Sequence, residues 1–256
     1  MNPAFWILWA VCVALQVVLI QKMIRGGIYR QAPVLLCYLL VLFITGMVDV
    51  MLLIDVGGWG SDAYAARIYW LNDSIRQCGL LAVIVSIMYR IGARSGTARL
   101  WPVCLVLAFL LIGVIYRIET PKQRWTDFLR NVSFFAVLLN WGLWARLIKQ
   151  SRGAITGLFA RGELPARAAL AFSAGAGIQL AGEAVGQSIR SIAFKHRWDA
   201  VVDAANYLLV LAHLACLVVW LVSVRSLADG GRARKRDSEQ RADGAASASA
   251  PAGVLH

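Results

Sequence analysis

The chain has 256 residues, room for one domain of ordinary size, and is 59% hydrophobic but only 16% charged, where a soluble domain carries about 25% charged residues. That balance excludes a soluble globular protein and points to long apolar runs in a membrane. The net charge of +12 falls mostly between those runs, where it serves as a topology signal; with no folded basic surface and no recognition motif, nucleic acid is excluded as a partner.

Seven runs are long enough to cross a hydrocarbon layer of about 30 Å, which takes roughly 20 helical residues. They cover 4–24, 33–55, 64–91, 100–117, 128–149, 168–190 and 204–226. Each is continuously apolar, without the period-2 alternation of barrel strands. The predicted fold is therefore all-α: a polytopic membrane protein with a bundle of seven transmembrane helices within residues 1–227. The opening MNPAFWILWAVCV has neither a positively charged leader nor a small-residue cleavage site, so it reads as the first span.

Basic residues orient the bundle. With the N-terminus outside and the C-terminus cytoplasmic, the inner loops and tail hold roughly twice as many lysines and arginines as the outer side, as the positive-inside rule requires. The first inner loop carries Lys22, Arg25 and Arg30, against none in the N-terminal tail. After Leu227 the composition turns to alanine, serine, glycine and charge. Residues 228–256 thus form a basic, low-complexity cytoplasmic tail expected to be disordered, since it holds too little apolar surface for a core. Cys12, Cys37, Cys78, Cys104 and Cys216 all lie inside apolar runs without zinc or disulfide spacing, and read as small buried apolar residues.

Polar residues inside the spans carry the chemistry. The run Tyr69 to Arg90 contains Asn72, Asp73, Arg76 and Gln77 within one and a half turns. An ionisable residue at bilayer depth costs roughly 2.5–3.5 kcal/mol on insertion scales, so such residues face a bundle interior and pair there. In span 168–190, Gln179, Glu183, Gln187 and Arg190 recur at helical spacing as one stripe. Beside that stripe lie Gly175, Gly182 and Gly186, and Gly182-x-x-x-Gly186 is a small-xxx-small pattern that lets a neighbouring backbone approach closely.

Depth links these stretches. Asp49, Asp73 and Glu183 each lie roughly 10 Å below the outer boundary, at 1.5 Å of rise per residue. The expectation is an outward-facing polar pocket built from Asp49, Asp73, Arg76, Glu183, Gln187 and Arg190, with Asn140, Asn206 and His213 as further polar residues. Three acids then outnumber the deep arginine, so at least one is expected to be protonated or cation-paired at neutral pH. The competing expectation is that these pairs only fix helix register.

Other motifs do not develop into sites. His213 is alone in its span, so haem has no second axial ligand, and no metal or cofactor is expected. Asp199-x-x-x-Asp203 reads as a solvated helix start. No metalloprotease, nucleophile-elbow, phosphate-loop or dinucleotide fingerprint is present, which argues against an enzyme. Seven spans match microbial rhodopsins and G-protein-coupled receptors in number alone; all five lysines lie in loops or at span ends, which leaves no Schiff-base position for retinal.

The functional expectation is a receptor- or transporter-like protein of the bacterial inner membrane that holds a small polar or cationic solute or a proton. The alternative is an accessory or scaffold subunit that meets a membrane-protein partner through the small residues of span 168–190.

Overall fold

The structure, a computed structural model, describes residues 3–56, 63–92, 124–153, 166–196 and 198–248. Six α-helices occur among them: α1 (Pro3–Arg25), α2 (Pro33–Val56), α3 (Ala63–Gly92), α4 (Arg124–Gly153), α5 (Ala166–His196) and α6 (Asp199–Ala248). The molecule is an all-α, multi-pass membrane bundle. Five of the helices are long and apolar enough to span: Ala4–Arg25, Pro33–Leu52, Leu71–Tyr89, Ala168–Arg190 and Ala200–Ala228.

The count of seven transmembrane helices is therefore corrected. The run 100–117 lies outside the described residues. The run 128–149 falls in α4, where the apolar stretch among the described residues is Ser133–Ala145, short of the roughly 20 residues a crossing takes. The sidedness deduced from seven spans rested on that count and falls with it. The composition also suggests an irregular tail, yet α6 continues as helix to Ala248; alanine and arginine there are strong helix formers even without a core.

The helices pack as a ring in chain order. Each of α1 to α5 touches the next, α6 closes the ring against α1, and α3 meets α5 across it. The α1–α2 turn is tight because Gly27 adopts a left-handed φ of 66°, which costs glycine nothing sterically. Its amide donates to Ile24 O at 3.1 Å, and a short 3-10 turn, Ile28–Arg30, follows. Between α5 and α6, Trp198 N donates back to Ala193 O at 2.9 Å, which reverses the chain in three residues.

Polarity is distributed as lipid requires. Trp141 and Leu138 are 71% and 66% exposed on the outside of α4, and Ile7, Met51 and Val222 are similarly exposed on their helices. Gln16, Thr45, Asp49, Asn72, Gln77, Asn140, Gln179 and Glu183 are buried. An apolar exterior around a polar interior is the arrangement for a bundle solvated by acyl chains.

Helix α5 is held closely on both sides by small residues. A Cβ on Gly182 would collide with Ala212, one on Gly175 with the Trp220 indole, and one on Gly186 would lie 2.7 Å from Leu209. On its other side, Gly177 sits under Asn140 of α4, at 2.6 Å from an added Cβ. Trp220 fills the floor of the core: it is fully buried, donates from Nε1 to Phe172 O at 2.9 Å, and meets Tyr38 edge-on at 5.8 Å.

Candidate functional site

Polar side chains from five of the helices meet inside the ring in three groups. The first joins α2 to α3. Asp49 lies one turn beyond Thr45 on α2, and Asn72 and Arg76 share a face of α3 four residues apart. Asn72 donates from Nδ2 to Asp49 Oδ1 at 2.7 Å. Arg76 forms an ion pair with Asp49 Oδ2 through Nη2 and donates from Nε to Thr45 Oγ1 at 2.8 Å. Thr45 in turn donates to the Val41 carbonyl at 2.8 Å. Both oxygens of Asp49 are thus engaged, one of them by a cation.

The second group joins α3 to α5. Asp73 Oδ2 receives the amides of Gln77 at 3.5 Å and Gln187 at 3.4 Å. Those contacts are long beside the usual 2.7–3.2 Å, so Asp73 is held more loosely than Asp49. Arg76 and Arg190 both lie within electrostatic reach of Asp73, and Asp73 within reach of Glu183.

The third group is a continuous hydrogen-bonded chain through α1, α6 and α5. Gln16 Nε2 meets His213 Nε2 at 2.9 Å, His213 Nδ1 meets Gln179 Oε1 at 2.9 Å, and Gln179 Nε2 donates to Glu183 Oε1 at 2.5 Å. With the amides as they stand, Gln16 donates to Nε2 and the imidazole proton sits on Nδ1, donated to Gln179; the reversed tautomer matches the reversed amides equally. Glu183 is the terminal acceptor. Its Oε2 is buried with no hydrogen-bond partner among the described residues, and the same holds for Gln77 Oε1.

Of the residues singled out from the sequence, Asp49 pairs with Arg76, Asp73 with Gln187, and Glu183 with Gln179, all within the ring. Arg190 is half-buried on α5. His213 belongs to the chain that ends on Glu183. Asn140 lies apart from these acids, locked to Ser173: it donates to the Ser173 carbonyl at 2.9 Å, and Ser173 Oγ donates to its Oδ1 at 2.6 Å. Asn206 is half-buried two turns before His213. Gly175, Gly182 and Gly186 line the contact with α6.

Two participants escaped the sequence reading. Gln16 is the one amide or charged side chain between Pro3 and Ile20, and that isolation in an apolar helix is itself a signal. Thr45 sits one turn before Asp49 and was detectable by the same spacing. Among the described residues, no group of three or more histidine, cysteine, aspartate or glutamate side chains is arranged to hold a metal ion. A crevice lined by Gln31, Val34, Leu35, Val83, Ile87 and Phe172 lies at the α1–α2 turn, away from the acids. No known protein family, curated protein or solved structure matches this chain.

Proposed function

We propose that this membrane protein is receptor- or transporter-like and that its ligand is a proton, taken up and released at Glu183 inside the bundle. The observation that carries this reading is the state of the Glu183 carboxyl: buried, bonded through one oxygen only, and served by a chain of neutral groups. Removing an ion's second oxygen from water without a partner is expensive unless a proton or cation relieves it. Arg76 cannot serve fully, because it already binds Asp49 and Thr45. A proton is favoured over a solute because the described side chains leading to Glu183 bond to each other, from Gln16 through His213 and Gln179.

The accessory-subunit reading needs the small-residue face of span 168–190 turned to lipid. Gly182 and Gly186 instead lie against Ala212 and Leu209 of the same chain, which favours the proton reading. The proposal keeps the bacterial inner membrane as the location. Helical spans suit that membrane and not the barrel-lined outer one, and Cys12, Cys37, Cys78 and Cys216 are free thiols.

Infrared difference spectroscopy of the protein in lipid, titrated over the pH range in which it stays folded, tests this. The expected result is a protonated-carboxyl band that comes and goes with pH and is absent in Glu183→Gln. No titrating band assignable to Glu183 would end the proposal.

A further inference from the structure

The chain from Gln16 to Glu183 has two self-consistent directions, and they differ by one proton. In the first, Gln16 donates to His213 Nε2, His213 Nδ1–H to Gln179 Oε1, and Gln179 to an ionised Glu183. A primary amide keeps nearly the same outline when its oxygen and nitrogen exchange places, so both glutamines can turn over within their present packing. Every bond then reverses. Glu183 donates a carboxyl proton to Gln179 Oε1, Gln179 Nε2 donates to His213 Nδ1, and His213 Nε2–H donates to Gln16 Oε1.

We propose that these four residues form a polarity switch, in which the protonation of Glu183 on α5 is read out as the tautomer of His213 on α6 and the amide orientation of Gln16 on α1. This rests on Glu183 as the proton site and adds how the site communicates with two other helices. The protons balance: one is taken up at His213 Nε2 and the Nδ1 proton ends on the Glu183 carboxyl, so one proton is gained in all and the imidazole stays neutral in both states. Mixed directions are penalised, because a reversed amide beside an unreversed one faces donor to donor or acceptor to acceptor and leaves a buried polar group unpaired. That penalty makes the chain act as one unit.

Arg76 of α3 is the charged group that faces His213, and α1 presents Gln16 to it rather than an acid. Facing Glu183 are Asp73 and Arg76 from α3, Tyr38 from α2, and Cys216 from α6.

The test uses the full chain in lipid, labelled with nitrogen-15 histidine, with His196→Gln and His256→Gln introduced so that His213 is the one histidine observed. Nitrogen chemical shifts distinguish Nδ1–H, Nε2–H and imidazolium, and the Glu183 carboxyl band is followed in parallel. The expected result is a change from Nδ1–H to Nε2–H as pH falls, with the same midpoint as the carboxyl band. In Gln179→Leu the two titrations should separate. A Glu183 band that titrates while the His213 tautomer stays fixed, or an imidazolium at any point of that titration, overturns the switch and leaves Glu183 as the proton site. Absence of the Glu183 titration overturns both.

Discussion

Asp49 and Glu183 are both buried acids, but Asp49 accepts from Asn72 and Arg76 and has no oxygen to spare, whereas Glu183 accepts from Gln179 alone. The α2–α3 side of the ring meets a charge with a charge. The α1–α5–α6 side meets one with a series of neutral dipoles and leaves an oxygen open. A saturated pair fixes how two helices sit, because changing its protonation would forfeit several bonds at once. An unsaturated acid can gain or lose a proton while giving up little. The proton site proposed for this bundle follows from incomplete pairing rather than from the presence of acids.

The comparison breaks most readily at Arg76. Arg76→Met leaves Asp49 buried and uncompensated, and is expected to cost about 3–5 kcal/mol of stability, read by unfolding in mixed micelles. Adding Asp49→Asn should restore most of it. A single variant that unfolds like the wild type would remove the distinction between the two sides.

The opposite side depends on close backbone approach rather than charge. Gly182→Val drives its side chain into Ala212, and a loss of about 1–3 kcal/mol is expected. Ala212→Gly in the same chain should recover part of that loss. If the double variant is no better than the single, α5 and α6 do not meet as closely as described.

The smallest expected effect sharpens the contrast. Glu183→Gln exchanges a carboxylate with one engaged oxygen for a neutral amide that can keep the bond to Gln179, so stability should change by less than about 1 kcal/mol. A cost matching that of Arg76→Met would make Glu183 a structural acid like Asp49.

Much of this was legible from residue spacing. The i, i+4 recurrence of Gln179, Glu183 and Gln187, and the Asn72–Asp73–Arg76–Gln77 group, announce helix faces that cannot meet lipid. The small residues of α5 announce a closely packed neighbour. Partner choice was not legible. Asp73 and Arg76, three residues apart on one helix, suggest an intrahelical pair, yet the arginine binds Asp49 and the aspartate takes amides from Gln77 and Gln187. A long side chain reaches whichever acid its helix rotation presents, and spacing along one helix does not fix that rotation. The seven crossing segments read from composition also exceed the five candidate spans found among the described residues.

By itself, the sequence determined that this chain is a helical membrane bundle, because no other use of so many long apolar runs satisfies the backbone in lipid. It also determined which helix faces turn inward, since burying a charge is tolerable only there. The tertiary structure alone decided that Gln16, a lone amide on α1, completes a path to Glu183 through His213. Its place in the sequence is 197 residues from its partner, and only the closing of the ring by α6 against α1 brings the two within hydrogen-bonding distance.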